Sequence, residues 1–247
     1  MSARLPIFDD TFLLILTGAG ISADSGIPTF RAAGGLWNDH RVEDVASPDG
    51  FLRDPRLVWQ FYSERRRDVL TAKPNAAHHA LAAVEDRLGD RFLLVTQNVD
   101  GLHAAAGSQR LIEIHGSLLR SRCTVCDRPA FADLDVYRPG VVPMCGRCQA
   151  GGKDALLRPD VVWFGEALPD GAMARIQAFL AGARARRLQF VAIGTSGRVW
   201  PAAGLVDSVR GHGGATWLVN EEPSANADSF HRVVLGKASE VVPALLA

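Results

Sequence analysis

The sequence has no excess of charge of either sign: 27 Lys and Arg stand against 27 Asp and Glu, a formal net charge of zero. A polyanion finds no global field to hold it, so no direct nucleic-acid partner is expected. Long apolar runs are missing too. The longest near the N-terminus, Phe12 to Leu16, is too short to cross a bilayer or to form the core of a signal peptide, and Asp9 and Asp10 precede it. A cytoplasmic location without a membrane partner is the expectation. Low-complexity bias is absent: 47% hydrophobic and 22% charged residues are near globular averages, so the chain should fold. Its 247 residues leave room for one large α/β core and a small satellite, but not for three independent cores.

Cysteine is scarce, and its placement is ordered. The four cysteines form two hooks, Cys123-x-x-Cys126 and Cys145-x-x-Cys148, with residues 127–144 between them. Each hook can put two thiolates on one side of an ion, and this separation is the one expected of a tetrahedral four-cysteine zinc site. With four thiolates bound, no position is left for water or substrate, so the zinc should be structural.

Along the chain, Thr11 to Leu16 reads as a buried strand that runs into Gly18-Ala19-Gly20. Asp54-Pro55 has the form of a helix cap and first turn, with a helix to about Thr71, and Asn75 caps a second helix through Leu88, closed by Gly89. Strands are expected at Arg91–Thr96, Leu111–Ile114, Leu188–Ile193, Thr216–Val219 and Arg232–Leu235, with an extended Val161–Phe164. Helices are expected at Asp170–Ala185, Pro201–Val209 and Ala238–Leu246, while the cysteine segment should form a separate ribbon. This alternation predicts an α/β fold: a Rossmann-like, doubly wound parallel sheet with a smaller zinc-ribbon and helical lobe, and a ligand beyond the carboxyl ends of the strands.

Gly18 to Arg31, GAGISADSGIPTFR, lacks the full dinucleotide fingerprint, because Gly26 lies too far along for GxGxxG. Further motifs follow in order: TQNVDGLH from Thr96, EIHGS from Glu113, the cysteine hooks, VVWFGE from Val161 and IGTS from Ile193. Together they resemble a sirtuin over Leu14 to about Val242. RAAGGLW from Arg31 and FYSER from Phe61 are similar to the bacterial and mitochondrial branch that removes acidic acyl groups.

The resemblance implies an NAD-dependent protein-lysine deacylase, with NAD and one structural zinc ion, acting on acyl-lysine proteins or peptides and yielding nicotinamide and O-acyl-ADP-ribose. It implies a Rossmann-type domain over 1–35, 73–117 and 160–247 and a small lobe over 36–72 and 118–159. In the family's reaction the acyl oxygen displaces nicotinamide from the ribose, and a base then activates a ribose hydroxyl. His115 matches that base, and imidazole suits it because its pKa lies near working pH. The other six histidines read as ordinary structural residues.

On the cofactor side the resemblance places Gly18, Ala19 and Gly20 against the phosphates. Asn98 and Asp100 hold the nicotinamide carboxamide and order the ribose, with Gln97 and Val99 beside them. Phe30, Arg31 and Trp37 belong to the covering segment, Gly194, Thr195 and Ser196 to a second phosphate and ribose contact, Asn220 and Glu221 to the adenosine ribose, and Ala238 to the adenine. Asp24 stands where the family usually has glutamate, one methylene shorter with the charge kept.

Tyr62 and Arg65, three apart on a helix, share a face and could meet one carboxylate, and the small Ala33 leaves room for it. A succinyl or malonyl tail would then be neutralised in an otherwise apolar tunnel. Without the resemblance, Arg65-Arg66-Arg67 would read as a solvated helix face. Val162, Phe164, Gly165 and Glu166 match an edge that pairs with the substrate backbone, and Val199 lies in the facing loop. Two rivals stay open: an NAD glycohydrolase or mono-ADP-ribosyltransferase, and a non-enzymatic zinc-ribbon binding module.

Overall fold

The computed structural model describes residues 4–29, 36–37, 40–183 and 187–247. Strand β1 (Thr11–Thr17) runs into a 3-10 turn over Ala19–Ser25. The short strands β2 (Leu36–Trp37) and β3 (His40–Arg41) lead to helices α1 (Val42–Val45), α2 (Pro48–Arg53), α3 (Pro55–Thr71) and α4 (Ala76–Leu88). Next come β4 (Phe92–Thr96), α5 (Leu102–Ala105), β5 (Leu111–Glu113), β6 (Gly116–Cys123), β7 (Phe131–Ala132), α6 (Gly146–Ala150) and β8 (Leu157–Val161). The chain closes with α7 (Ala172–Gly182), β9 (Arg187–Ile193), α8 (Leu205–Gly211), β10 (Ala215–Asn220), β11 (Arg232–Leu235) and α9 (Ala238–Leu246).

The main sheet has six parallel strands in the order β11-β10-β9-β1-β4-β5. From β1 the chain builds outward through β4 and β5, then returns to the other side of β1 for β9, β10 and β11. The strand order therefore reverses between β1 and β9, and loops leaving those two strands at their carboxyl ends diverge to open a crevice. Alternation along β1 serves both faces. Leu13 and Ile15 join a core with α4 and α9, while Leu14 and Leu16 join another with α7 and α8. A strand buried on both sides is continuously apolar, and that is the signal the sequence carries here.

Caps set the helix ends as expected. The Asp54 carboxylate accepts from Arg56 N and Leu57 N at 3.1 and 3.0 Å, and Asn75 Oδ1 accepts from Ala77 N at 3.0 Å.

Several expectations need correction. The cysteine segment is not a ribbon standing apart: β6, β7 and β8 form an antiparallel sheet in the order β7-β6-β8. That sheet shares a third core with α3, containing Val58, Trp59, Phe61, Tyr62, Leu118, Leu157 and Trp163. The extended segment expected from Val161 is instead the end of β8, which starts at Leu157. Arg91 belongs to a 3-10 turn ahead of β4, and the helix expected from Asp170 starts at Ala172, after Gly171 at φ +77°. Pro201–Val209 is not one helix, because a 3-10 turn at Ala202–Gly204 precedes α8. Arg66 is 1% exposed, not solvated. Its guanidinium donates to Leu118 O at 2.7 Å and Asp135 O at 2.8 Å and pairs with Asp133 at 3.1 Å, so α3 is tied to the cysteine-bearing segment.

Candidate active site and zinc centre

The crevice is made possible by two glycine loops that touch backbone to backbone. Gly18 N–H donates to Ile193 O and Gly20 N–H to Gly194 O, both at 2.9 Å. A Cβ on Gly20 would lie 2.6 Å from Gly194 Cα, and Gly194 itself sits at φ +64°, so a side chain at either position would force the strand ends apart. The cavity beyond them has a volume of about 760 Å³.

Gly18, Ala19, Gly20, Gln97, Asn98, Val99, Asp100, His115, Gly194, Thr195, Ser196, Asn220, Glu221 and Ala238 all line it. On its other side lie Tyr62, Arg65, Val162, Phe164, Gly165, Glu166 and Val199. Phe30, Arg31 and Ala33 lie outside the described residues, as does the side chain of Trp37. Asp24 does not reach the cavity. Its carboxylate accepts from Ser239 Oγ at 2.5 Å and lies 3.6 Å from Lys237 Nζ, so it anchors the 3-10 turn to the start of α9.

His115 follows β5, and its Nδ1 is 3.0 Å from Gln97 O. A carbonyl can only accept, so Nδ1 carries the proton and Nε2 is the basic nitrogen. Burial pulls the imidazole below its ordinary pKa, and the Gln97 contact opposes this. At neutral pH the ring is therefore neutral and able to take a proton.

Beside it, Gln97 Nε2 donates to Thr195 Oγ1 at 2.9 Å and Asn220 Nδ2 to Thr195 O at 2.8 Å, which links the ends of β4, β9 and β10. Asn98 Nδ2 donates to Gly18 O at 3.1 Å and Ser22 Oγ at 3.2 Å, leaving the amide oxygen as its acceptor. Asp100, 6% exposed, accepts from Leu102 N at 2.9 Å and Ser22 Oγ at 2.7 Å. Burial raises its pKa, while these donors favour the carboxylate.

Sequence reasoning missed Ser22 and treated His78 and His103 as bland. Ser22 is fully buried between Asn98, Asp100 and His78, the last at 3.5 Å. Asn75 N–H donates to His78 Nδ1 at 3.3 Å, so the His78 proton sits on Nε2, facing Ser22. The His78 and His103 rings lie 4.8 Å apart, and His103 Nε2 is 2.9 Å from Thr17 Oγ1. Burial lowers the pKa of His78 to about 4 and of His103 to about 3. A buried serine inside ISADSG leaves no periodic signal that could have singled it out.

On the opposite side, Tyr62 and Arg65 do come to the same cavity, as their spacing on α3 predicts. Tyr62 OH accepts from Trp163 Nε1 at 2.9 Å, and burial raises the phenol's pKa. The Arg65 guanidinium lies 3.3 Å from the centroid of the Phe61 ring, and its Nη1 donates to Phe61 O at 2.6 Å. Burial lowers its pKa, yet a guanidinium stays charged.

The expected substrate edge is only partly open. Val162 N–H donates to His115 O at 2.9 Å and Phe164 N–H to Ala46 O at 3.0 Å. The Glu166 carboxylate turns onto Arg158 at 2.6 and 2.9 Å instead of facing a peptide.

The four cysteines converge, with all Sγ atoms within 4.8 Å of one another. Cys123–Cys148 and Cys126–Cys145 are 3.7 and 3.9 Å apart. Zinc–sulfur bonds of about 2.3 Å in tetrahedral geometry place sulfurs about 3.8 Å apart, so the set fits zinc. Val125 and Cys126 N–H groups reach Cys123 Sγ at 3.3 Å, the outer contacts a thiolate ligand needs.

A parallel sheet with its crevice at the β1/β9 reversal, an imidazole lining that crevice and a four-cysteine centre that fits zinc define a nucleotide-binding α/β protein with a metal module. The Sir2 family model matches residues 18–201, and the chain belongs to the Sir2 family. It is 52% identical over 233 residues to an NAD-dependent protein deacylase of Shigella flexneri, covering 94% of this chain and 81% of that protein. A solved Sir2 homologue in complex with NAD superposes with a TM-score of 0.84 at 42% identity, covering 94% of this chain and 87% of that one. A Sir2 structure with a deacetylated p53 peptide and 3′-O-acetyl ADP-ribose gives 0.80 at 30% identity, over 94% and 91%.

Proposed function

We propose that the chain, an NAD-dependent protein deacylase, removes acidic acyl groups such as succinyl and malonyl from lysine side chains, with acetyl as a further substrate. What carries the reading is that Tyr62 and Arg65 line the same cavity as His115, Asn98 and Asp100. Arg65 brings a guanidinium to that wall, 3.8 Å from Glu64, and an acidic acyl group would add a carboxylate to it that an acetyl group lacks.

NAD, when bound, supplies a glycosidic bond whose cleavage releases nicotinamide. Asn98 would give its amide oxygen to the carboxamide N–H, and Asp100, held by Ser22 and Leu102, would order the same end. The glycines at 18, 20 and 194 let phosphate oxygens approach main-chain N–H groups, and Asn220, Glu221 and Ala238 are assigned to the adenosine end. His115 would take the ribose hydroxyl proton at Nε2. Val162, Phe164, Gly165 and Val199 would flank the acyl-lysine peptide, while the Glu166 carboxylate stays on Arg158.

The same proposal divides the chain. Residues 1–35, 73–117 and 160–247 form the NAD-binding domain, and 36–72 with 118–159 form the small lobe. A cytoplasmic location goes with it, because a reducing compartment keeps cysteines free for metal binding.

Turnover of matched acetyl-, succinyl- and malonyl-lysine peptides, with and without NAD, tests the reading through nicotinamide release. Release without any acylated peptide would favour a glycohydrolase. Arg65→Met should lower kcat/KM for the succinyl peptide about 100-fold relative to the acetyl peptide, the usual effect of removing one partner of a buried charge pair. An equal loss on both would return Arg65 to a structural role.

A further inference from the structure

Behind the Tyr62 wall lies a buried polar assembly that the reaction does not consume. Arg158 of β8 is 8% exposed. Its guanidinium stands 3.3 Å from the centroid of the Trp163 ring. Its Nη1 donates to Glu166 Oε1 at 2.6 Å, and its Nη2 to Glu166 Oε2 and Val161 O, each at 2.9 Å. Glu166 Oε2 also accepts the Trp163 backbone N–H at 2.9 Å. The tryptophan is thus gripped twice, its main chain on the carboxylate and its ring on the guanidinium that the carboxylate holds.

The far end of that ring carries the consequence. Trp163 Nε1–H donates to Tyr62 OH at 2.9 Å, and Tyr62 is itself 1% exposed. An indole N–H can only donate, so the phenol oxygen is the acceptor there and its own proton must point elsewhere. A hydroxyl that already accepts one hydrogen bond is also polarised toward donating another. The indole therefore fixes the direction of the phenol proton and strengthens it as a donor. A buried ion pair is weak grounds for stability, since apolar residues of similar volume often serve as well, and this one sits where orientation matters.

We propose that Arg158 is a positioning residue for acyl selectivity. Through Glu166 and Trp163 it holds the Tyr62 hydroxyl in the direction from which it donates to the carboxylate of an acidic acyl group. This rests on the reading of Tyr62 and Arg65 as the acidic-acyl recognition pair.

The experiment measures kcat and KM separately for acetyl- and succinyl-lysine peptides at saturating NAD. It compares the full-length zinc-loaded enzyme with Arg65→Met, Arg158→Met, Arg158→Lys and Trp163→Phe. Arg158→Met should raise KM for the succinyl peptide about tenfold relative to that for the acetyl peptide, the scale of one hydrogen bond to a charged group. Arg158→Lys, which keeps one charge-assisted bond to Glu166 but loses the fork and the stacking, should fall between Arg158→Met and wild type. Trp163→Phe keeps an aromatic ring in the wall while removing the indole donor and some buried volume, so it should reproduce the selectivity loss of Arg158→Met, with KM for the acetyl peptide reporting any general loosening. It decides the matter if Arg158→Met does not fold. Equal changes on both peptides, or none on the succinyl peptide, overturn the proposal. If Arg65→Met lowers the succinyl preference while Arg158→Met and Trp163→Phe leave it intact, this inference alone fails. If Arg65→Met leaves the preference unchanged, the acidic-acyl reading fails and this inference with it.

Discussion

His115→Ala should lower kcat for deacylation by about 10²- to 10⁴-fold, the usual contribution of a positioned general base, while zinc content and melting temperature stay near wild type. The ring touches the protein through Gln97 O at one end and the cavity at the other, so its loss removes a base without opening the core. In the wild type, kcat/KM should fall as the pH drops through an apparent pKa below 6.5, since burial lowers the His115 pKa and an imidazolium cannot accept the proton. Full deacylation by the alanine variant would remove His115 from the reaction. A profile with no acidic limb down to the onset of acid unfolding would contradict its assignment as the base.

Cys145→Ala should abolish activity by another route. Cys145 is fully buried, and its Sγ is 3.9 Å from that of Cys126. Zinc held by four thiolates contributes about 10–16 kcal/mol in isolated modules, comparable to the whole stability of a typical domain at about 5–15 kcal/mol. Without it the end of β6, which carries Cys123, loses its tie to Cys145 and Cys148 at α6, and the core that these cysteines share with α3 loosens, so Tyr62 and Arg65 lose their places along with the metal. Native mass spectrometry should show no bound zinc, and near-ultraviolet circular dichroism should show lost tertiary packing. A variant that remains folded and active without metal would rule out a structural zinc.

Strands β1, β4 and β9 were legible because burial on both faces leaves a largely apolar run, as in LLIL of β1 and FVAI of β9. Strands β6 and β8 were not. GSLLRSRC and LRPDV carry Arg120, Arg122, Arg158 and Asp160, which look like loop residues until their partners are known. Arg120 bridges Glu113 and Asp160 at 2.7 and 2.9 Å, pairings across chain distances that local periodicity cannot register. Much the same holds for the site. His115, Asn98, Asp100 and the cysteines were visible through motif and spacing, whereas the links of Ser22 to His78, Asn98 and Asp100 and of Trp163 Nε1 to Tyr62 span 50 or more positions. Asp24 erred the opposite way, since its motif position suggested the cofactor while its carboxylate serves α9.

The His78 and His103 rings, packed at a tilt of 55°, have a consequence outside catalysis. Both are held neutral in the folded chain, with pKa values of about 4 and 3, while in the unfolded chain both would titrate near 6.5. Acidification from pH 6.5 toward 4 therefore adds protons to the denatured ensemble first, and each unit of pKa difference is worth about 1.4 kcal/mol against the native state. Stability should be flat above neutrality and erode below it. His78→Asn should flatten part of that slope in urea titrations at pH 5 and 7. An unchanged slope would mean that neither imidazole governs acid lability.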